Sequence, residues 1–557
     1  MRIWVLLGWL VLPLFAAGPQ PVRGKHGVVA SRSLIASQVG VEIMKKGGNA
    51  IDAAVAVGFA LAVTYPSAGN LGGGGFMVVR LANGEVKTLD FRETAPQAAS
   101  RDMYLDGSGN PISGLSTKTH LAAGTPGTVA GMLEALKTHG KLSRKQVLEP
   151  AIRLASEGFP LTYDLAFQFE RQLRFMKDHP ASMAIFSKNG TPFQAGDTWK
   201  QPDLAASLKR IAEHGRDGFY RGPTADLIVA EMARGQGLVT HKDLEHYEPK
   251  WRKPLKGNYR GYEIWSMPPP SSGGILVLEM LNMLEPYDLG AMGWGSADTI
   301  HLMIEAQRRA YADRAEYLGD PDFVDVPTTQ LTTKAYAKSR FDDFEKGKAS
   351  DSEAIGAGSW GPESMETTHY SVMDAQGNAV SVTTTLNWGY GSKIVVAGAG
   401  FLLNNEMDDF SIKANTPNTY GLIGRKANEI QPKKRMLSSM TPTIVTKDGK
   451  VALVTGSPGG ATIINTVFQV ILNTIDHKMS LSDAVSLPRF HHQWKPNRIL
   501  FEAHGISPDT VSILKLKGHI NLISAKFQIG DANSIAPEGD LLQGMSDPRN
   551  DGGAAGY

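Results

Sequence analysis

"PESMETTHYSVMDAQGNAVSVTTTLN", residues 362–387, reads as a β-hairpin with an excess of hydroxyls at one end. Two apolar, β-branched runs flank Gln376-Gly377, a short turn of the kind that joins antiparallel strands. With that pair as the turn, Ala375 faces Asn378. Thr385 then faces Thr368 and lies beside Thr367; a slip of one residue would move it to the other face. Cross-strand threonine pairing and β-propensity account for part of this composition. A second account is chemical. A threonine hydroxyl is a poor nucleophile unless a base takes its proton. No G-x-S-x-G elbow occurs in the chain, and the direction of His369 is open. If the chain is cut before Thr367, that residue gains an α-amine with a pKa of about 7.7–8.0. Such an amine can activate the hydroxyl of its own residue.

The flanks agree with both accounts. Residues 342–366 hold few large apolar side chains and many Gly, Ser, Asp and Glu, which predicts an exposed, flexible segment. It stops abruptly at Thr367. Further out, "GFMVVRLANGEVKTLDFRET" predicts a hairpin at Asn83-Gly84. "MTPTIVTKDGKVALVTGSPGG" predicts another at Lys447-Asp448-Gly449. Residues 33–64 predict buried helices, residues 123–245 are mainly helical, and "TIINTVFQVILNTIDHK" predicts a helix after the last hairpin. Hairpin-built sheet with helices before and after implies an α+β layered fold. No fixed-period repeat appears.

The chain has 557 residues, 42% hydrophobic and 20% charged, with a net charge of +2. That balance offers no electrostatic basis for binding nucleic acid. Residues 1–18 combine Arg2, a short apolar run and Ala16-Ala17-Gly18, the pattern of a secretory signal peptide. No later segment is long and apolar enough to span a membrane. The chain has no cysteine, so disulfides, cysteine nucleophiles and Cys-bound zinc are excluded. A periplasmic or secreted enzyme with a large packed core is expected. His491 and His492 lack the spacing of a helical zinc pair and are expected to be structural. "LGGGGF" near residue 72 lacks a surrounding dinucleotide-binding unit and is expected to be a close-packing element. No metal and no cofactor is expected.

Together, "TTHYSV", "LNNEMDDFS", "LSSMTPTIV", "TGSPGG", "PRFHHQW" and the terminal "GY" resemble gamma-glutamyltransferases, of the N-terminal-nucleophile hydrolase superfamily. "NLGGGGFM" and "DFRET" match the upstream part of that family. The resemblance covers nearly all of the mature chain. It implies a four-layer αββα sandwich and a proenzyme that cuts itself between Glu366 and Thr367. The products would be a large subunit, 19–366, and a small catalytic subunit, 367–557, held together as a heterodimer. Thr367 would be the nucleophile, Thr385 would position it, and Gly459 and Gly460 would form the oxyanion hole.

The resemblance also implies a donor pocket. Arg92, Ser438 and Ser439 would hold an α-carboxylate, while Asn387, Glu406 and Asp409 would hold an α-ammonium. Asp408 is a weaker candidate, because neighbouring side chains on extended backbone point apart. Residues 417–428 resemble a lid loop in which Tyr420 would wall off the site. The donor would be glutathione or a related γ-glutamyl compound, and the acceptor water, an amino acid or a peptide. A cephalosporin (glutaryl) acylase of the same superfamily and a catalytically dead periplasmic binding protein are the alternatives.

Overall fold

The computed structural model describes residues 18–355, 367–413 and 426–557. The signal segment through residue 17, Glu366, Tyr420 and most of the 417–428 loop lie outside the described residues. Two seven-stranded antiparallel sheets form the centre. One runs, in spatial order, Gly553–Gly556, Gly27–Ser31, Thr368–Asp374, Ala379–Thr385, Gly74–Arg80, Val86–Asp90 and Lys250–Arg252. The other runs Val22–Gly24, Leu541–Met545, Ser534–Glu538, Lys450–Thr455, Thr443–Lys447, Tyr262–Ser266 and Leu255–Tyr259.

Three apolar layers follow from this stacking. Val28, Ala30, Val78, Ile444, Val454 and Ile535 fill the space between the sheets. Helices Leu34–Lys45, Ala50–Thr64 and Thr128–His139 cover the outer face of the first sheet. Helices Gly273–Leu284, Ala297–Tyr317 and Thr462–Ile475 cover the second. The result is a four-layer αββα sandwich, the architecture the resemblance implies. Every residue of Ala50–Thr64 is buried, which explains why its sequence is apolar on all sides rather than striped. Among the described residues, no helix is long and apolar enough to cross a membrane.

Each of the three hairpins turns at a glycine on positive φ: Gly84, Gly377 and Gly449. Asp448-Gly449 is a two-residue turn with both residues left-handed, joining Lys447 to Lys450. The central hairpin differs from expectation. Its loop has three residues, Ala375–Gly377, because the Asp374 carboxylate accepts from the Gln376 and Asn378 N–H groups. That extra loop residue shifts the register by one: Thr368 pairs with Thr384 and Met373 with Ala379. Continued one step, the same register sets Thr367 opposite Thr385.

In the described part of 342–366 most residues are exposed, as expected, but two positions lie in the interior. Ser352 and Ile355 are buried. Arg308 holds the Ser352 hydroxyl, and Trp494 Nε1 donates to the Ser352 carbonyl at 2.8 Å. Composition misses this because the anchors are few and isolated: Ser352 in a buried polar network, and Ile355 and Phe344 against the apolar core.

Candidate active site

The central hairpin ends at one edge of the sandwich, and its hydroxyls divide between two jobs. Thr383 and Thr384 serve the sheet. Thr383 Oγ1 pairs with His369 Nδ1 at 3.0 Å, and Thr384 Oγ1 donates to the Gly74 carbonyl at 2.8 Å. Thr385 serves the strand end. Its Oγ1 accepts the Asn387 N–H at 2.7 Å and lies 3.5 Å from Thr367 Oγ1. His369 faces the space between the sheets, where burial pushes its imidazole down to about 3, so it is neutral. Its ring fills the place that a Cβ at Gly456 would need.

The glycine run beside the hairpin makes this end possible. A Cβ at Gly73 would overlap the Thr385 carbonyl oxygen, and one at Gly75 would overlap that of Thr383. "LGGGGF" is thus a close-packing element, as its sequence predicts. Asn70 ties it in, donating to the Thr385 carbonyl at 2.9 Å.

Arg92, Thr367, Thr385, Asn387, Glu406, Asp409, Ser438, Ser439 and Gly460 line one cavity, together with Met440 and Ile463. The cavity is small and opens to solvent, with about 300 Å³ of space counted out past its mouth. Gly459 adjoins it. Gly459 and Gly460 adopt φ of +130° and +54°, then lead into the N-terminus of helix Thr462–Ile475. A helix N-terminus favours negative charge. Asn387 adopts φ +75°, a backbone uncommon outside glycine and concentrated at functional sites.

The charged groups meet at Arg92, which is fully buried. It pairs with Glu406, donates to Asp409 Oδ2 at 2.5 Å, and lies 3.6 Å from Glu93. Three acids around one guanidinium leave the cluster short of positive charge. Burial raises the carboxyls of Glu406 and Asp409 and Arg92 opposes it; at Glu406 the charges of Glu93 and Asp409 add to the rise. Burial likewise pushes Glu93 up to about 7. Glu93 stands beside Arg92 in "DFRET", where the sequence gives no mark of its direction, since neighbouring charged residues are most often solvated. Asp408 turns away, accepting from Ser116 Oγ at 2.6 Å; residues Glu406–Asp409 form a 3-10 turn rather than the extended backbone expected. Ser438 and Ser439 approach from the segment before the strand Thr443–Lys447.

His491 and His492 are both buried, and both are pushed below the usual imidazole range by burial. His491 pairs with Asn465, and His492 accepts the Trp494 N–H, which is the structural role expected of them. His301, Glu305 and His519 do bring three potential ligand atoms together. There, His301 Nδ1 pairs with His519 Nε2 at 2.8 Å, and His301 Nε2 meets the Glu345 carbonyl at 2.9 Å. Arg309 holds the Glu305 carboxylate at 2.7 Å, so both His301 nitrogens, His519 Nε2 and the Glu305 charge already have protein partners.

Comparison with known proteins agrees with this geometry. The model of the gamma-glutamyltranspeptidase family matches residues 36–557. A glutathione hydrolase proenzyme of Escherichia coli strain K12 is 53% identical over 542 residues, covering 96% of this chain and 93% of its own. The crystal structure of a cephalosporin acylase from Bacillus halodurans superimposes with a TM-score of 0.85 at 28% identity, covering 99% of each chain. The gamma-glutamyltranspeptidase of Helicobacter pylori does so with a TM-score of 0.58 at 45% identity, over 62% of this chain and 96% of that one. With a family model that matches residues 36–557, and with relatives of this similarity along its length, the chain belongs to the gamma-glutamyltranspeptidase family.

Proposed function

We propose that Thr367 is the nucleophile of a self-processing glutathione hydrolase and γ-glutamyltransferase. Membership of the family makes the chain an enzyme of γ-glutamyl transfer and hydrolysis; the residue roles are our reading. Cleavage between Glu366 and Thr367 would give subunits 19–366 and 367–557 and free the Thr367 α-amine. That amine takes the proton of its own Oγ1, which attacks the γ-carbonyl carbon of the donor. The oxyanion forms against the Gly459 and Gly460 N–H groups. As the C–N bond breaks, the ammonium of Thr367 returns its proton to the leaving amine, leaving a γ-glutamyl ester on Oγ1. Water, or the amine of an amino acid or peptide, then attacks the ester by the same route in reverse.

The observation that carries this reading is the convergence on one small cavity. Thr367 Oγ1 lies 3.5 Å from Thr385 Oγ1, in a cavity that Asn387, Glu406, Asp409 and both serines also line. The acid-rich end suits an ammonium. The serine end suits a carboxylate. The expected outcome for Thr367→Ala is a single uncut chain with no turnover of γ-glutamyl anilide. Two normal subunits from that variant would refute the assignment.

The likeness to the cephalosporin acylase supports a second reading, in which the donor lacks the ammonium. Glu406 and Asp409 oppose it, because with Glu93 they set three buried acids around the single guanidinium of Arg92, and a donor ammonium would supply positive charge that the cluster lacks. Turnover of γ-glutamyl anilide over glutaryl anilide is expected; the opposite preference would favour the acylase. The leader at 1–18 fits an enzyme exported to the periplasm or beyond it.

A further inference from the structure

The serine end of the pocket has a second guanidinium behind it. Arg314 stands in the last turn of helix Ala297–Tyr317 and is 3% exposed. Its Nε donates to Ser272 Oγ at 2.9 Å, and its Nη2 donates to Ser439 Oγ at 3.1 Å. Ser272 Oγ donates onward to the Ser438 carbonyl at 2.8 Å. One buried side chain therefore grips both members of the Ser438-Ser439 pair, one directly and one through a hydroxyl.

The direction of each proton follows. A guanidinium has donors only, while a serine hydroxyl has one proton and two acceptor positions. Ser439 Oγ accepts from Arg314, so its own proton must point elsewhere. Ser438 Oγ accepts the Met440 N–H at 3.1 Å, and the same constraint applies. Neither hydroxyl proton meets an acceptor among the described residues, and both serines line the cavity. Two O–H donors aimed into one cavity, with a positive charge behind them, make a site for a carboxylate. Arg92 contributes less to that charge than its position suggests, because Glu406, Asp409 and Glu93 surround it.

We infer that Arg314 is a positioning residue for the donor's α-carboxylate: it fixes the hydroxyl directions of Ser439 and, through Ser272, the placement of Ser438. This rests on the reading of the cavity as the γ-glutamyl donor site. The test compares two anilides with the processed enzyme. One is γ-glutamyl anilide; the other, 4-aminobutyryl anilide, is the same chain without the α-carboxylate. Arg314→Gln should raise KM for the first by about 10- to 100-fold, the range of a lost hydrogen bond to a charged group, and leave kcat nearly unchanged. Turnover of the second should be unaffected, so the preference for the carboxylated donor collapses. Equal losses on both anilides would overturn the inference, since a general structural defect acts on both. If Arg314→Gln does not mature, Ser272→Ala loosens the same guanidinium without removing it. That variant should show the same selective loss, smaller in size, and an unselective or absent loss would overturn the inference. A wild-type enzyme that turns over neither anilide would refute the donor-site reading itself. A wild type active on γ-glutamyl anilide, with an unselective variant, would remove only the role of Arg314.

Discussion

At Gly459 the requirement for glycine is geometric. Its φ of +130° is one that L side chains rarely adopt, and a Cβ there would overlap Thr462 Oγ1. On the proposed oxyanion role, Gly459→Ala should therefore displace the Gly459 N–H while leaving the rest of the proposed donor pocket in place. The expected result is a fall in kcat of about 10²- to 10³-fold with little change in donor KM. Steady-state kinetics on γ-glutamyl anilide measure it, and an unchanged kcat would refute the oxyanion role. Glu93 and Arg314 belong to the same scale and share one lesson. Each is a charged residue that reaches the site only because it is buried against it, and charge alone in a sequence does not reveal burial. Arg92 taught the converse. Its type pointed to a carboxylate ligand, yet its nearest partners are the acids that were assigned to the opposite end of the donor.

The central hairpin shows how one side chain sets an element. Asp374 receives the Gln376 and Asn378 N–H groups on Oδ1, and the Ala50 N–H and Asn378 Nδ2 on Oδ2. It closes the three-residue loop and caps the fully buried helix Ala50–Thr64 from outside that helix. Asp374→Ala leaves several buried donors without partners, at a cost of about 1–3 kcal/mol in stability. Chemical denaturation of the mature enzyme checks this. The strand Thr368–Asp374 is seven residues long, so Asp374 stands about 20 Å from the nucleophile end. The kcat of the folded variant should be that of the wild type. This loop is also where the sequence reading slipped by one residue. Gln376-Gly377 fits a two-residue turn as well as a three-residue one, and only the Asp374 contacts choose between them.

On the scale of the whole molecule, the order of strands matters more than their number. In the first sheet, the strands Thr368–Asp374 and Ala379–Thr385 lie between Gly27–Ser31 and Gly74–Arg80. In the second, four strands from the C-terminal part are flanked by Val22–Gly24 on one side and Tyr262–Ser266 on the other. A cut at residue 366 would leave two polypeptides sharing both sheets and the helical layer over the second, with a common apolar core between the sheets. Salt screens exposed charges but does not weaken such a core. The two subunits should co-elute in 1 M salt and part only in the unfolding transition. Separation of folded subunits at high salt would contradict this arrangement.

The sequence by itself determined the hairpins, the buried helices, the family and nearly every pocket residue. These are written in local patterns: period-two alternation, apolar runs, glycine turns and motifs in fixed order. The tertiary structure alone decided the facing of Thr367 and Thr385, the acid ring around Arg92, the guanidinium behind Ser439 and the anchoring of residues 343–353. Each of these depends on contacts between segments up to several hundred residues apart, and on burial that turns a modest charge into a strong one. Neither long-range contact nor local dielectric leaves a signature in the residues that share it.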